Sequence, residues 1–119
     1  MIRTEAIRSV PEERRRSRRS KVLLRALLFS GQTCIGFCRV RDISANGAGL
    51  GNMPFGLPED IGLVIPSRNL AVIAKLRWRN GGLGGVSFER ACPELLGTRE
   101  ARQATAEEMA LRTGILTPS

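Results

Sequence analysis

The stretch AVIAKLRWRNGGLGGVSFE, residues 71–89, decides the fold class. Val72, Ala74, Leu76 and Trp78 fall at alternate positions and predict one apolar strand face. Lys75, Arg77 and Arg79 fall on the other face, together with Ala71 and Ile73. Asn80-Gly81 suits a tight turn that needs positive φ, and Val86 and Phe88 resume the alternation beyond it. The segment reads as a β-hairpin with one half-buried face. The parity of Trp78 with Val72 and Leu76 favours a core position for the indole.

Upstream, TCIGFCRVRDIS (33–44) is rich in β-branched and aromatic residues and reads as a strand. GAGLGN and MPFGLPED then break the chain with glycine and proline, and DIGLVIP forms a short strand that ends at Pro66. KVLLRALLF (21–29) is undecided on periodicity. Leu23/Leu27 and Leu24/Leu28 have helical spacing, but the run also alternates tolerably as a strand, and Ser30-Gly31 closes it as a turn. Downstream, Thr105 and Glu108 have capping-box spacing and Gly114 stands where a helix would stop, which predicts a short helix over 105–113. Short antiparallel strands followed by a terminal helix give a mainly β chain, a small barrel or a sandwich.

Composition narrows the function. At 119 residues with 42% hydrophobic content, the chain suits one small domain with a modest core. Aromatics make up only 4% and tyrosine is absent, which removes the usual material of base-stacking platforms for single strands. The net charge of +8 is uneven: residues 1–25 carry nine Lys/Arg against three Glu, and the remainder carries ten against eight. The field sits in the N-terminal segment, and an anionic partner is implied.

Three cysteines (Cys34, Cys38, Cys92) without histidine argue against a disulfide framework or a zinc site, and read as small buried thiols in a reducing cytosol. SRRSKVLLRALLFSG superficially resembles a twin-arginine export signal. Arg25 interrupts its apolar run, however, and no small-x-small cleavage pattern follows, so the expected location is cytoplasmic. No histidine, carboxylate pair or metal-ligating cluster suggests catalysis, and no enzyme activity is expected.

Two pieces of sequence carry the candidate chemistry. ERRRSRRS (13–20) packs five arginines into positions 14–19. RVRDISANGAGLG (39–51) puts Asp42, Ser44 and Gly47 where a strand ends. Residues two apart on extended backbone point the same way, so one carboxylate and one hydroxyl project together, and glycine allows close approach to the backbone. A carboxylate accepts hydrogen bonds from the N–H donors of guanine, whereas arginine forks match phosphate oxygens or guanine O6 and N7. The same Asp-x-Ser-x-x-Gly spacing also suits a plain Ser or Asx turn.

Arg15-x-x-x-Arg19, two strands, Asp42-x-Ser44-x-x-Gly47 and the later KLRWRNGGLGGVSFE together resemble the PilZ domain family, bacterial receptors for cyclic di-GMP. The resemblance runs over residues 13–89. It implies a six-stranded antiparallel β-barrel with a C-terminal helix, and thereby a strand for residues 21–29. The implied organisation is a flexible Arg-rich arm (1–20), a barrel (21–90), and a C-terminal helix and tail (91–119). Arg15 and Arg19 would clamp phosphate and guanine, Asp42 and Ser44 would hold another guanine edge, and Gly47 would leave room for it. Arg14 stands where an extra arginine in this family goes with an intercalated ligand dimer, which implies two dinucleotides per protein. Trp78 would flank the site if it is not in the core. Ser20-Lys21 departs from the apolar Val-Pro-like start common in the family.

The implied ligand is cyclic di-GMP, with no metal and no further cofactor, and the implied partner is an unidentified downstream protein. One alternative is a basic nucleic-acid-binding barrel with a phosphate-tracking arm. It accounts for the charge but not for Asp42, because a carboxylate in a backbone-binding groove repels phosphate. A PilZ-like interaction module that binds no ligand is the other.

Overall fold

A computed structural model of the chain describes residues 19–113. Six strands, β1 (Ser20–Ser30), β2 (Thr33–Ile43), β3 (Gly47–Gly51), β4 (Asp60–Ile65), β5 (Leu70–Asn80) and β6 (Leu83–Ala91), precede a 3-10 turn (Pro93–Gly97) and a helix, α1 (Arg99–Thr113). The strands close into a barrel in the order β1-β2-β3-β6-β5-β4, with every neighbouring pair antiparallel. The chain is therefore mainly β, a closed six-stranded antiparallel barrel with one C-terminal helix, and of the two expected architectures the sandwich is excluded.

Two apolar clusters hold the fold. Inside the barrel, Leu28, Val40, Leu50, Ile61, Leu63 and Ile65 are fully buried. On its outside, Leu27, Phe29, Val64 and Ala71 pack beneath Leu95, Ala101 and Ala104, with Cys34 and Cys92 at the margin. This double burial explains the ambiguity of residues 21–29. Ala26 and Leu28 fill the barrel while Leu27 and Phe29 face the helix, so both faces of β1 are apolar and the period-two signal vanishes.

Three local expectations are corrected. GAGLGN does not merely break the chain: residues 47–51 form β3, which pairs with β2 and β6. Its inward residues Ala48 and Leu50 are fully buried, and glycines at the intervening positions hide the alternation. The β5–β6 turn is Gly81-Gly82, flanked by the Asn80–Leu83 pair, one residue later than expected; Gly81 supplies the positive φ of +64°. Helix α1 begins at Arg99, well before Thr105. Thr98 caps it: its Oγ1 accepts from the Ala101 N–H (3.3 Å) and donates to the Leu95 carbonyl (2.7 Å). The expected stop at Gly114 lies outside the described residues.

The largest correction concerns Trp78. Leu76 pairs with Val86 but Trp78 pairs with Gly85, so Arg77 is an extra residue and the strand faces exchange beyond it. Trp78 consequently emerges on the outer surface, 52% exposed, and is not in the core. Arg79 leaves the face shared with Lys75. It donates to the carbonyls of Pro54 (2.6 Å), Met53 (3.1 Å) and Gly81 (2.7 Å), and its guanidinium stands 5.0 Å from the Phe55 ring centroid.

Candidate functional site

The two sequence pieces meet at Asp42. On β2, Val40 pairs with Leu50 and is buried; Arg41 is then an extra residue, and Asp42 pairs with Gly49. The bulge lets the buried Val40 and Ile43 flank a carboxylate that reaches the surface. Arg19, just before β1, donates from Nη1 to Asp42 Oδ1 at 2.6 Å. Both side chains are partly exposed, 52% and 31%, so the pair is accessible rather than sealed.

Glycines shape the ground around this pair. A β-carbon on Gly49 would lie 2.5 Å from Asp42 Oδ2, so the carboxylate rests against the bare backbone of β3. A β-carbon on Gly85 would collide with Trp78 Nε1, so the indole rests in the same manner on β6. Gly49 pairs with Gly85, Gly85 with Trp78, Gly49 with Asp42, and Asp42 with Lys21. One row thus crosses five strands: Lys21, Asp42, Gly49, Gly85, Trp78. The two positions between Asp42 and Trp78 are glycine, so the carboxylate rests over β3 and the indole over β6, neighbouring strands whose backbones are about 5 Å apart.

Ser44 and Gly47 are both engaged by the chain itself. Past the end of β2 the chain turns. The Ser44 N–H donates to the Gly47 carbonyl at 2.9 Å, its Oγ donates to the same oxygen at 3.4 Å, and the Asn46 N–H donates to that Oγ at 3.2 Å. The hydroxyl forms a Ser turn, keeping one acceptor lone pair beyond these bonds. Gly47 does not adopt positive φ. Its missing side chain instead admits the Val86 carbonyl, with which a β-carbon would collide. Arg14 and Arg15 lie outside the described residues.

Cations surround the row. Lys21 is exposed at its β1 end, and Arg41 lays its aliphatic stem over Gly51, whose β-carbon would lie 3.0 Å from Arg41 Cδ. Arg77, beside Trp78, donates from Nε to Ser87 Oγ at 2.7 Å and reaches Glu89 at 3.5 Å. Chemically, the surface offers a hydrogen-bond acceptor for N–H donors, a flat apolar plate and several phosphate-matching cations.

Sequence reasoning singled out Arg19 and Asp42, gave Trp78 to the core with the site as the alternative, and missed Gly49 and Gly85. The G-x-G in GAGLG and the Gly84-Gly85 pair after the hairpin turn were the available signals, since glycine inside a strand marks a close approach. Among the described residues, no group of three or more His, Cys, Asp or Glu could hold a metal ion, and no helix is long and apolar enough to cross a membrane. Cys38 is buried within the barrel, and burial pushes its thiol up to about 12. No protein-family model matches the sequence, and no curated protein is significantly similar to it.

Proposed function

We propose that this chain is a cytoplasmic, non-catalytic receptor of the PilZ type that binds cyclic di-GMP. The observation that carries the reading is the 2.6 Å contact between Arg19 and Asp42, which joins the arginine arm to the strand-end motif at one surface point. The guanine of a cyclic dinucleotide lies on the exposed face of the Trp78 indole and turns its N–H edge toward Asp42. The glycine floor accommodates the ring. Arg19 shifts from Asp42, or bridges it, to reach phosphate, and Arg15 adds a second fork. Ser44 contributes its remaining lone pair as an acceptor. Arg14 extends the site to a second, stacked dinucleotide. The ligand reorders the arm and so alters the surface offered to a downstream protein.

A nucleic-acid-tracking barrel fits this surface less well. Asp42, a partly exposed carboxylate, stands in the middle of the cations, where a continuous phosphate backbone meets repulsion.

Calorimetric titration of cyclic di-GMP into wild type, Arg19→Ala and Asp42→Ala, with GTP as control, tests the proposal. Saturable binding in wild type, lost in both variants, supports it. A stoichiometry near two assigns Arg14 its role, and a stoichiometry near one removes it. No heat with wild type overturns the receptor reading in favour of a module that binds no nucleotide.

A further inference from the structure

A second concavity lies apart from the Asp42 row, between α1 and the outer face of the β1–β2 hairpin, with a volume of about 380 Å³. That is within the range of small-molecule pockets and well above a packing defect. Leu27 and Phe37, a cross-strand pair, line the strand side, and Ala104 lines the helix side. Phe37 is 58% exposed, unusual for a phenylalanine with a concave apolar surface beside it. The space exists because α1 is held by short side chains: among its described residues, those buried against the barrel are Ala101 and Ala104.

The charges around this cavity are balanced but not all paired. Arg25 and Glu107 both line it and close one side together, with Arg25 Nη2 donating to Glu107 Oε1 at 3.4 Å and Nη1 approaching Glu108 at 4.0 Å. Arg39, the cross-strand partner of Arg25, lines the strand wall, and Glu100 lines the helix wall. Neither Arg39 nor Glu100 has an ion-pair partner among the described residues. Gln103, one turn of helix from Glu100, adds a neutral donor and acceptor.

An apolar cavity with one uncommitted cation on one wall and one uncommitted anion on the other selects its ligand by charge. A monoanion gains Arg39 but faces Glu100, and a monocation has the reverse problem. A zwitterion satisfies both. We propose that this cavity binds a small apolar zwitterion, a molecule with a hydrocarbon or aromatic body, a carboxylate directed to Arg39 and an ammonium directed to Glu100. The chemistry is that of an apolar α-amino acid. Glu100 also sits in the first turn of α1, where a carboxylate favours the helix by itself, so the ligand adds a partner to a group already placed there.

The test uses the full chain without any cyclic dinucleotide, which keeps it independent of the function proposed above. L-Phenylalanine, 3-phenylpropionate and phenethylamine are titrated separately while backbone amide NMR shifts are followed. The expected result is saturable shifts at Phe37, Arg39 and Ala104 with phenylalanine, and at least about tenfold weaker binding of the two singly charged analogues. Arg39→Gln and Glu100→Gln should each weaken phenylalanine about tenfold, and Phe37→Ala, an exposed substitution that leaves both cores intact, should weaken it without altering the charge preference. Equal binding of phenylpropionate, or insensitivity to Glu100→Gln, overturns the zwitterion assignment. An absence of saturable shifts with all three probes overturns the site.

Discussion

The Arg19 guanidinium and the Asp42 carboxylate, 23 residues apart, meet at 2.6 Å, and the second oxygen of that carboxylate rests against Gly49. The carboxylate is therefore held from two sides, one by charge and the other by the absence of a side chain. These two restraints can be removed separately.

Removing the charge should cost little stability. The pair is partly exposed, so Arg19→Ala should destabilise by less than about 1 kcal/mol in urea unfolding, and the difference should shrink toward zero at about 1 M salt. Cyclic di-GMP binding, under the proposed function, should fall far more than stability does.

The neighbouring glycines should respond in opposite ways. In Gly49→Ala the new methyl meets a terminal carboxylate that can swing aside, so the fold should survive while Asp42 is displaced and ligand affinity drops. In Gly47→Ala the methyl meets the Val86 carbonyl, which is backbone in the paired strand β6 and cannot swing aside. That variant should lose about 2 kcal/mol or more of stability. Urea midpoints beside calorimetric titrations separate the two outcomes.

Trp78 is the chain's single tryptophan, so its fluorescence reports this surface alone. Emission should be red-shifted, as for a half-exposed indole, and should change on addition of cyclic di-GMP. Trp78→Ala should cost less than about 2 kcal/mol, below the usual cost of truncating a buried tryptophan. A blue-shifted maximum would place the ring back in the core.

Alkaline pH should destabilise the fold through Cys38. Its thiol ionises near 9.0 when free and near 12 in the barrel, so the unfolded chain releases its proton first as pH rises. The stabilising contribution is fully present below pH 9.0 and is lost between there and 12, at about 1.4 kcal/mol per pH unit. Unfolding of wild type and Cys38→Ala compared at pH 8 and about pH 10.5 should show the steeper loss in wild type.

Arg79 should prove structural. It supplies hydrogen bonds to three carbonyls and stacks near Phe55, pinning the connection between β3 and β4 to the β5–β6 turn. Arg79→Ala should cost about 1–3 kcal/mol, and Arg79→Lys should recover little, since an ammonium cannot match the fork. Hydrogen exchange at residues 53–55 should accelerate in both.

The barrel was legible where one strand face is polar, as in β5 and β2. Periodicity left β1 undecided, because burial on two sides erases the period, and only the resemblance gave a strand there. Reading failed where glycine occupies the outer face, as in β3, because no side chain marks the alternation. Asp42 and Arg19 were visible as residue types suited to one chemistry. Trp78 was misassigned because counting by twos cannot detect the extra residue at Arg77. Ser44 illustrates the opposite case: its spacing suited both a ligand contact and a turn, and its hydroxyl makes the turn while keeping one lone pair for the other. Gly49 and Gly85 each lie against a residue of the neighbouring strand in sequence, Asp42 and Trp78, and the glycines mark a close approach without naming the partner, which depends on the bulges at Arg41 and Arg77.

The row from Lys21 to Trp78 draws on five of the six strands; three of its four joins lie between strands consecutive in sequence, and the fourth, Gly49 to Gly85, joins β3 to β6. No single hairpin contains more than two of its members. The row is complete only once β3 has paired with β6, so anything that engages the whole row opposes the separation of the N-terminal and C-terminal strands and not merely fraying of one segment. Recognition at this surface is in effect an assay for the β3–β6 junction, and a chain whose two ends had not yet met would be silent to it.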